Sequence, residues 1–335
     1  MPSRTGGEST HTPPGPMPTE VEADLAGLDA ELDRVVPLKS ATNLLIGTWN
    51  VRALGGYTDR WTSRTTDSPK RDWHSMACIA RVLARFDVTA IQETRRETSA
   101  LFAILSLLGP DYRVIASDVT EGDKGNSERL AYVYDSRRVQ PSGLVGEIVL
   151  PPQAQNNVDQ FARTPYAAGF VRNEVEFILT TVHVLWGLRP ADRLPELAAF
   201  ARWMRSWADR PKDWNRNLMV LGDFNIDRHE DPLWQEFFAT GLYPPAVLHD
   251  VSRTIFDDDR DRHSYDQISW FTPTRPDGTT ETRLEGITFG QVGGNVDFVP
   301  HVLTGSGLDR SQMSWRISDH YPLWLEFTVS QGAWG

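Results

Sequence analysis

Five short segments put chemically capable side chains at the ends of apolar runs. Asn50 follows residues 44–49, Glu93 comes just after residues 88–91, and His183 closes residues 177–182. Gly222-Asp-Phe-Asn225 follows residues 218–221, and Ile317-Ser-Asp-His-Tyr-Pro322 precedes the apolar run 323–329. Taken singly, each residue has an ordinary use. Asn50 and Asn225 suit turns or caps, Glu93 a solvated charge, His183 a hydrogen-bonded structural imidazole, and Asp319 a loop cap. Together they point to one centre. Glu, Asp and Asn oxygens suit a hard cation such as Mg²⁺ or Mn²⁺ rather than zinc. Two imidazoles, His183 and His320, supply proton transfer near neutral pH. A cation that neutralises anionic oxygens, with a pair of proton-transfer groups, suits hydrolysis of a phosphate ester.

Side chains so far apart in the chain need a scaffold to gather them. Residues 44–49, 88–91, 130–134, 268–271, 298–303 and 323–329 read as strands, 170–175 with 177–183 as a hairpin-like pair, and 218–221 as a buried strand. Residues 76–86 read as a helix with Ile79, Val82, Leu83 and Phe86 on one face; 101–108, closed by Gly109-Pro110, and 194–207 read as two more. Many strands with few long helices predict an α+β layered sandwich. Loops at strand ends are where such a scaffold collects polar groups. Residues 1–18 are proline-rich and expected to be disordered. Residues 19–40 predict an acidic amphipathic helix and linker, with Val21, Leu25, Leu28 and Leu32 on one face, Thr19 capping with Glu22, and the helix lying on the domain surface. Residues 41–335 are expected to form one catalytic domain.

The chain has 335 residues, 45 acidic against 34 basic, for a formal charge of −11, with 40% hydrophobic and 24% charged residues. That is globular composition, neither disordered nor fibrous. No run of about 18 apolar residues is present, so no transmembrane helix and no membrane partner are expected. The proline-rich start lacks the apolar core of a secretory signal. Cys78 is the single cysteine, so no intrachain disulfide can form. A cytoplasmic monomer is the expectation. The acidity by itself argues against a tight grip on nucleic acid.

Eight segments, in order, resemble the endonuclease/exonuclease/phosphatase superfamily, most closely its deoxyribonuclease I-like branch. They are Thr48-Trp-Asn50, Ile91-Gln-Glu-Thr-Arg95, Glu128-Arg-Leu-Ala-Tyr-Val-Tyr134, Phe161-Ala-Arg-Thr-Pro165, Val182-His183, Gly222-Asp-Phe-Asn-Ile-Asp227, Tyr265-Asp-Gln-Ile268 and Ile317-Ser-Asp-His-Tyr-Pro322. The resemblance implies a four-layer α/β/β/α sandwich of two mixed β-sheets flanked by helices, the site lying at one edge. It implies a divalent-metal-dependent endonuclease acting on DNA. Glu93 would be the principal metal ligand, helped by Asn50 and Asp319. Asp223 and Asn225 would sit beside the scissile phosphate, orienting water or holding a second metal. His183 and His320 would be acid and base, each oriented by a carboxylate: Glu128 for His183, and Asp266 for His320. Arg163 would bind the phosphate, and Arg95 would reach the DNA groove.

Two departures qualify the substrate. The loop Gly125-Asn-Ser127 is too short for the substrate-contacting tyrosine of that branch, which argues against docking in a duplex minor groove. An insertion at residues 55–74 carries Tyr57, Arg60, Trp61, Arg64, Lys70, Arg71 and Trp73, suited either to single-stranded nucleic acid or to packing on the domain. Asp297 is the alternative to Asp266 as partner of His320. Asp257-Asp-Asp-Arg-Asp-Arg-His263 resembles a calcium loop without its glycine and terminal glutamate. A solvated loop is expected there, a structural Ca²⁺ being the alternative. His74, His229, His249 and His301 read as surface or packing residues, and Cys78 as buried and inert. Two other functions stay open: a phosphatase or phosphodiesterase acting on lipid head groups or inositol phosphates, and, ranked last, an inactive binding scaffold. The charge then divides. Residues 1–38 carry seven acids and two bases, and Glu93, Glu128, Asp223, Asp266 and Asp319 belong to a centre that a cation would offset.

Overall fold

The computed structural model describes residues 11–122, 125–151, 160–243, 245–258, 262–272 and 284–330. In chain order the elements are α1 (Thr19–Val35), β1 (Asn43–Leu54), α2 (Trp73–Leu83), β2 (Val88–Arg95), α3 (Ser99–Leu108), β3 (Tyr112–Ala116), β4 (Glu128–Asp135), β5 (Gln140–Glu147), β6 (Tyr166–Arg172) and β7 (Val175–His183). Then follow α4 (Leu194–Asp209), β8 (Leu218–Asp223), α5 (Pro232–Phe238), β9 (Leu242–Tyr243), β10 (Asp266–Phe271), β11 (Ile287–Asn295), α6 (Arg310–Ser314) and β12 (Leu323–Val329). The strands make two six-stranded mixed sheets, ordered β11-β12-β1-β2-β4-β3 and β5-β6-β7-β8-β10-β9.

The sheets face each other across a core that includes Ile46, Tyr132, Phe170, Leu221, Trp270 and Phe327. α2 and α3 cover the outer face of the first sheet through Met76, Ile79, Leu101 and Ile104. α4 and α5 cover the second through Leu197, Phe200, Met204 and Phe237. This is the predicted α/β/β/α sandwich. The central strands read as continuous apolar runs because both of their faces are buried.

α1 lies against α2, and Val21, Leu28 and Leu32 are fully buried there. Its Asp24 accepts hydrogen bonds from Thr304 N and Oγ1 and lies 3.2 Å from His74 Nε2. Thr19 does not cap it: the N-cap position is Pro18, and no side chain accepts from the first turn. Leu28→Ala is expected to lower stability by about 2–5 kcal/mol, measured by urea unfolding. A loss under about 0.5 kcal/mol would show that α1 is a loose appendage.

Other sequence expectations fail for physical reasons. Residues 298–303 are not a strand but a 3-10 turn, Val299–His301, followed by Leu303 at φ +54°. Phe298, Val302 and Leu303 are buried without joining a ladder, so burial alone produced the apolar run. The hairpin turns at Asn173-Glu174, both at positive φ, and not around residue 176, because a two-residue turn matches the strand twist. β3, β5, β9 and β11 were not foreseen. β5 and β11 are edge strands, half-exposed and glycine-bearing, so they lack an apolar signature.

Candidate active site

The two sheets deliver their polar strand ends to one rim. In the first sheet, Asn50 pairs with Gln92, and Arg95 with Glu128. In the second, His183 pairs with Asp223, and Asp223 with Asp266. Gln92 joins the sheets: its Nε2 donates to Thr181 Oγ1 at 2.8 Å. Both β1 and β2 change register near the site. These bulges turn Glu93 (φ +60°) into the cleft, a left-handed conformation that costs energy in a non-glycine residue. Gly222 (φ +140°) lets β8 press against β7. A Cβ there would lie 2.2 Å from Val182 O, so only glycine brings Asp223 beside His183.

The result is a cleft of about 370 Å³ lined by Asn50, Glu93, Glu128, Arg163, His183, Asp223, Asn225, Asp319 and His320, among others. Asp266 stands behind His320, and Arg95 lies at the edge. His183 Nδ1 is 2.9 Å from Glu128 Oε2, and His320 Nδ1 is 2.7 Å from Asp266 Oδ2. Their Nε2 atoms face the same oxygen, Asp223 Oδ2, at 3.6 and 3.8 Å. Asp223 is buried, accepts from Asn50 Nδ2 at 3.0 Å through that oxygen, and accepts from Asn225 N at 2.9 Å through Oδ1. Asp297 is exposed, and its carboxylate accepts from Val299 N instead. The carboxylate at His320 is therefore Asp266.

Electrostatics follow the geometry. Burial pushes Glu128 up, but His183, Arg163 and Arg95 outweigh it and hold the carboxyl at about 2. Asp223 is also buried, yet the two histidines, Asn50 and Asn225 N keep it below the usual carboxylate range. Asp266 goes the other way, raised to about 6 by burial in spite of His320. Burial opposes charge on His320, but Asp266 and Asp223 prevail and lift it well above an ordinary imidazole.

The donor set fits a hard cation. Asn50 Nδ2 sits between Glu93 Oε1 (3.1 Å) and Asp223 Oδ2, which leaves Asn50 Oδ1 buried with no donor among the described residues. Asp319 Oδ1 and Asp266 Oδ1 are orphaned likewise. Buried acceptor oxygens without protein donors are what a divalent ion would satisfy. A second grouping, Asp223, Asp266 and His320, has ligand atoms within 4.8 Å of one another. Spacing alone did not suggest it as a metal set.

The arginines differ from expectation in detail. Arg163 is buried, and its Nε lies 2.6 Å from Glu128 Oε2 in an ion pair without hydrogen-bond alignment. Arg95 lies 3.6 Å from Glu128 Oε1 and 3.8 Å from Glu93 Oε2, and it donates to Asn126 O at 2.6 Å. It is thus a counter-ion of Glu128 and Glu93, with its side chain partly exposed.

Supporting residues went unnoticed in the sequence. Ser318 Oγ donates to Asn50 O at 2.5 Å and accepts from His320 N at 3.0 Å, joining β1 to the loop before β12. Arg52, two residues after Asn50, lies 3.2 Å from Asp319 Oδ2. Trp186 and Phe256 also line the cleft. Ser318 stands inside a motif and Arg52 beside one; Trp186 and Phe256 carry no such signal.

Elsewhere Trp61, Arg71 and Trp73 of the insertion pack inward, while Arg60 and Arg64 are exposed. Trp61 and Trp73 are buried, and buried Arg71 donates to Arg52 O, Ala53 O, Arg316 O and Ile317 O. Asp257 is engaged by His263 Nδ1 at 2.7 Å and by Arg253 N at 2.8 Å. Residues 259–261 of that acidic run lie outside the described residues, as do residues 1–10 of the proline-rich start. Cys78 is buried, which pushes its thiol up and leaves it protonated. Among the described residues no helix is long and apolar enough to cross a membrane.

The family model described as "Endonuclease/Exonuclease/phosphatase family" matches residues 47–320. A deoxyribonuclease of Thioalkalivibrio sp. (strain K90mix) is 26% identical over 301 residues, covering 88% of this chain and 73% of that protein. Deoxyribonuclease-1 of Oryctolagus cuniculus is 29% identical over 211 residues, 60% of this chain and 67% of that one. Among solved structures, an endonuclease/exonuclease/phosphatase family protein from Bacteroides thetaiotaomicron superposes with TM-score 0.54 at 16% identity, covering 86% of this chain and 98% of that one. The human Nocturnin catalytic domain gives 0.54 at 15%, covering 86% and 95%. At such identities the two structures speak to the fold alone.

Proposed function

Because the chain belongs to the endonuclease/exonuclease/phosphatase family, we propose that it is a divalent-metal-dependent endonuclease hydrolysing DNA phosphodiester bonds. The observation that carries this reading is the pair of carboxylate-backed imidazoles whose Nε2 atoms meet at Asp223 Oδ2, 3.6 and 3.8 Å away. Hydrolysis of a diester needs one proton removed from water and one given to the leaving 3′ oxygen, so two proton-transfer groups match the task. Glu128 and Asp266 fix each ring by its Nδ1 and leave Nε2 for chemistry. Asp223 and Asn225, which line the same cleft, would order the scissile phosphate and its attacking water. Arg163 faces the same cleft as a cation for the phosphoryl oxygens. Asn50, Glu93 and Asp319 would hold Mg²⁺ or Mn²⁺, which when bound neutralises charge growing on the phosphate. Two relatives named deoxyribonucleases favour DNA as the substrate.

The test is direct. Supercoiled plasmid, single-stranded DNA and RNA are incubated with Mg²⁺, Mn²⁺ or EDTA, beside an inositol phosphate as phosphatase substrate. Metal-dependent nicking of DNA is the expected result. Release of inorganic phosphate with no cut nucleic acid would replace the nuclease reading by the phosphatase one.

A further inference from the structure

Trp186 is half exposed, whereas Trp49, Trp73 and Trp270 are wholly buried, and it lines the catalytic cleft three residues after His183. Its ring is held from below. Arg193, itself buried, stacks its guanidinium 4.0 Å from the ring centre and donates from Nε to Trp186 O at 2.6 Å. The same guanidinium donates to Asn225 O at 2.8 Å and to Asp227 Oδ1 at 2.6 Å. Tyr265 meets the indole edge-on at 5.5 Å and directly precedes Asp266, the partner of His320. Gly187 (φ +68°) turns the chain away beyond the indole, and a Cβ there would lie 2.8 Å from Asp192 Cβ. One buried arginine thus locks an exposed aromatic ring to the strand end that carries Asn225. Phe256, also half exposed, lines the same cleft from the segment that bonds Asp319 O through Thr254 Oγ1.

We infer that Trp186, with Phe256, is a stacking platform for an unpaired nucleobase next to the scissile phosphate, making single-stranded or unpaired DNA the favoured substrate class; this rests on the nuclease reading above. In a duplex each base face is covered by its neighbour, so a rigid indole beside the phosphate site finds a partner only in an unpaired base. Charge points the same way. With a formal charge of −11, the chain gains little from long-range attraction to phosphates. Base stacking contributes affinity that needs no basic surface. The indole is preorganised on Arg193, so little ordering is lost when a base arrives.

The experiment uses one oligonucleotide, single-stranded or annealed to its complement, carrying 2-aminopurine, with full-length wild type, Trp186→Ala and Trp186→Phe. In EDTA, where the strand is not cut, wild type is expected to quench 2-aminopurine in the single strand, and Trp186→Ala to lose the quench. With Mn²⁺, Trp186→Ala is expected to lower the single-strand to duplex ratio of kcat/KM about tenfold, mainly through KM, with Trp186→Phe recovering most of it. An unchanged ratio and an unchanged quench in Trp186→Ala would overturn the platform. Wild type that quenches the strand yet cuts no DNA would instead overturn the nuclease reading and leave the platform standing.

Discussion

Replacing His183 by alanine is expected to lower the rate of DNA cleavage by about 10³-fold, with the thermal midpoint nearly unchanged. The size follows from where the imidazole stands. Its Nδ1 is committed to Glu128 at 2.9 Å, so Nε2, 3.6 Å from Asp223, is the atom that can take or give a proton. Alanine removes that atom and inserts no substitute. His320→Ala should fall by a similar factor, because its Nε2 faces the same Asp223 oxygen at 3.8 Å. The double variant should be little worse than either single one, since groups that act on one phosphate in one step lose their effect together. Glu128→Gln is the discriminating companion. It keeps a planar acceptor near His183 but removes the charge of the carboxyl that His183, Arg163 and Arg95 hold at about 2, so a smaller loss, about 10–100-fold, is expected. Steady-state cleavage of a fluorescent oligonucleotide measures all four. A His183→Ala rate within threefold of wild type would remove this imidazole from the chemistry.

What could be read from the sequence, and what could not, follows from range of interaction. Asn50, Glu93, His183 and Asp223 each end an apolar run, and parallel pairing of β1 with β2 and of β7 with β8 carries such ends to one rim. The apolar runs reveal that each of these residues ends a strand, but the parallel pairing that brings the ends together appears only in the fold. An α+β layered sandwich is legible from many strands with few long helices, whereas the four-layer α/β/β/α arrangement is implied by the family resemblance. Asp266 is preferred to Asp297 on the Tyr265-Asp-Gln-Ile268 motif, and its place at His320 depends on β10 lying beside β8 rather than on any distance along the chain. Residues 298–303 mislead because burial, not ladder pairing, makes them apolar. Trp61 and Trp73 of the insertion look the same in sequence as Trp186, yet two are buried and one is exposed to the cleft. Arg193, which positions Trp186, sits in an ordinary helix start with no motif around it.

Removal of divalent metal by EDTA is expected to abolish cleavage, and Mg²⁺ or Mn²⁺ to restore it, because five carboxylates converge with too few cations to balance them. Glu93, Glu128, Asp223, Asp266 and Asp319 gather around one cleft, while Arg163 and Arg95 are already paired with Glu128, Arg52 with Asp319, and His320 with Asp266 and Asp223. Without a bound cation, the charge that grows on a bound phosphate during attack would go unneutralised. Glu93→Gln removes one negative oxygen but keeps the side-chain length, and Ala53 N can still bond the group as it does now at 2.9 Å. Mn²⁺ affinity, followed by the paramagnetic resonance of the free ion so that no turnover is needed, should fall about 10–100-fold in Glu93→Gln and in Asp319→Asn. The same titration separates the two ligand sets. Asp266→Asn should leave Mn²⁺ affinity near wild type if the ion sits with Asn50, Glu93 and Asp319, while slowing cleavage through His320. If affinity instead drops in Asp266→Asn and holds in Glu93→Gln, the ion belongs with Asp223, Asp266 and His320. His320 would then be a ligand and could not also carry the proton, leaving His183 as the only imidazole of the pair free for acid–base work.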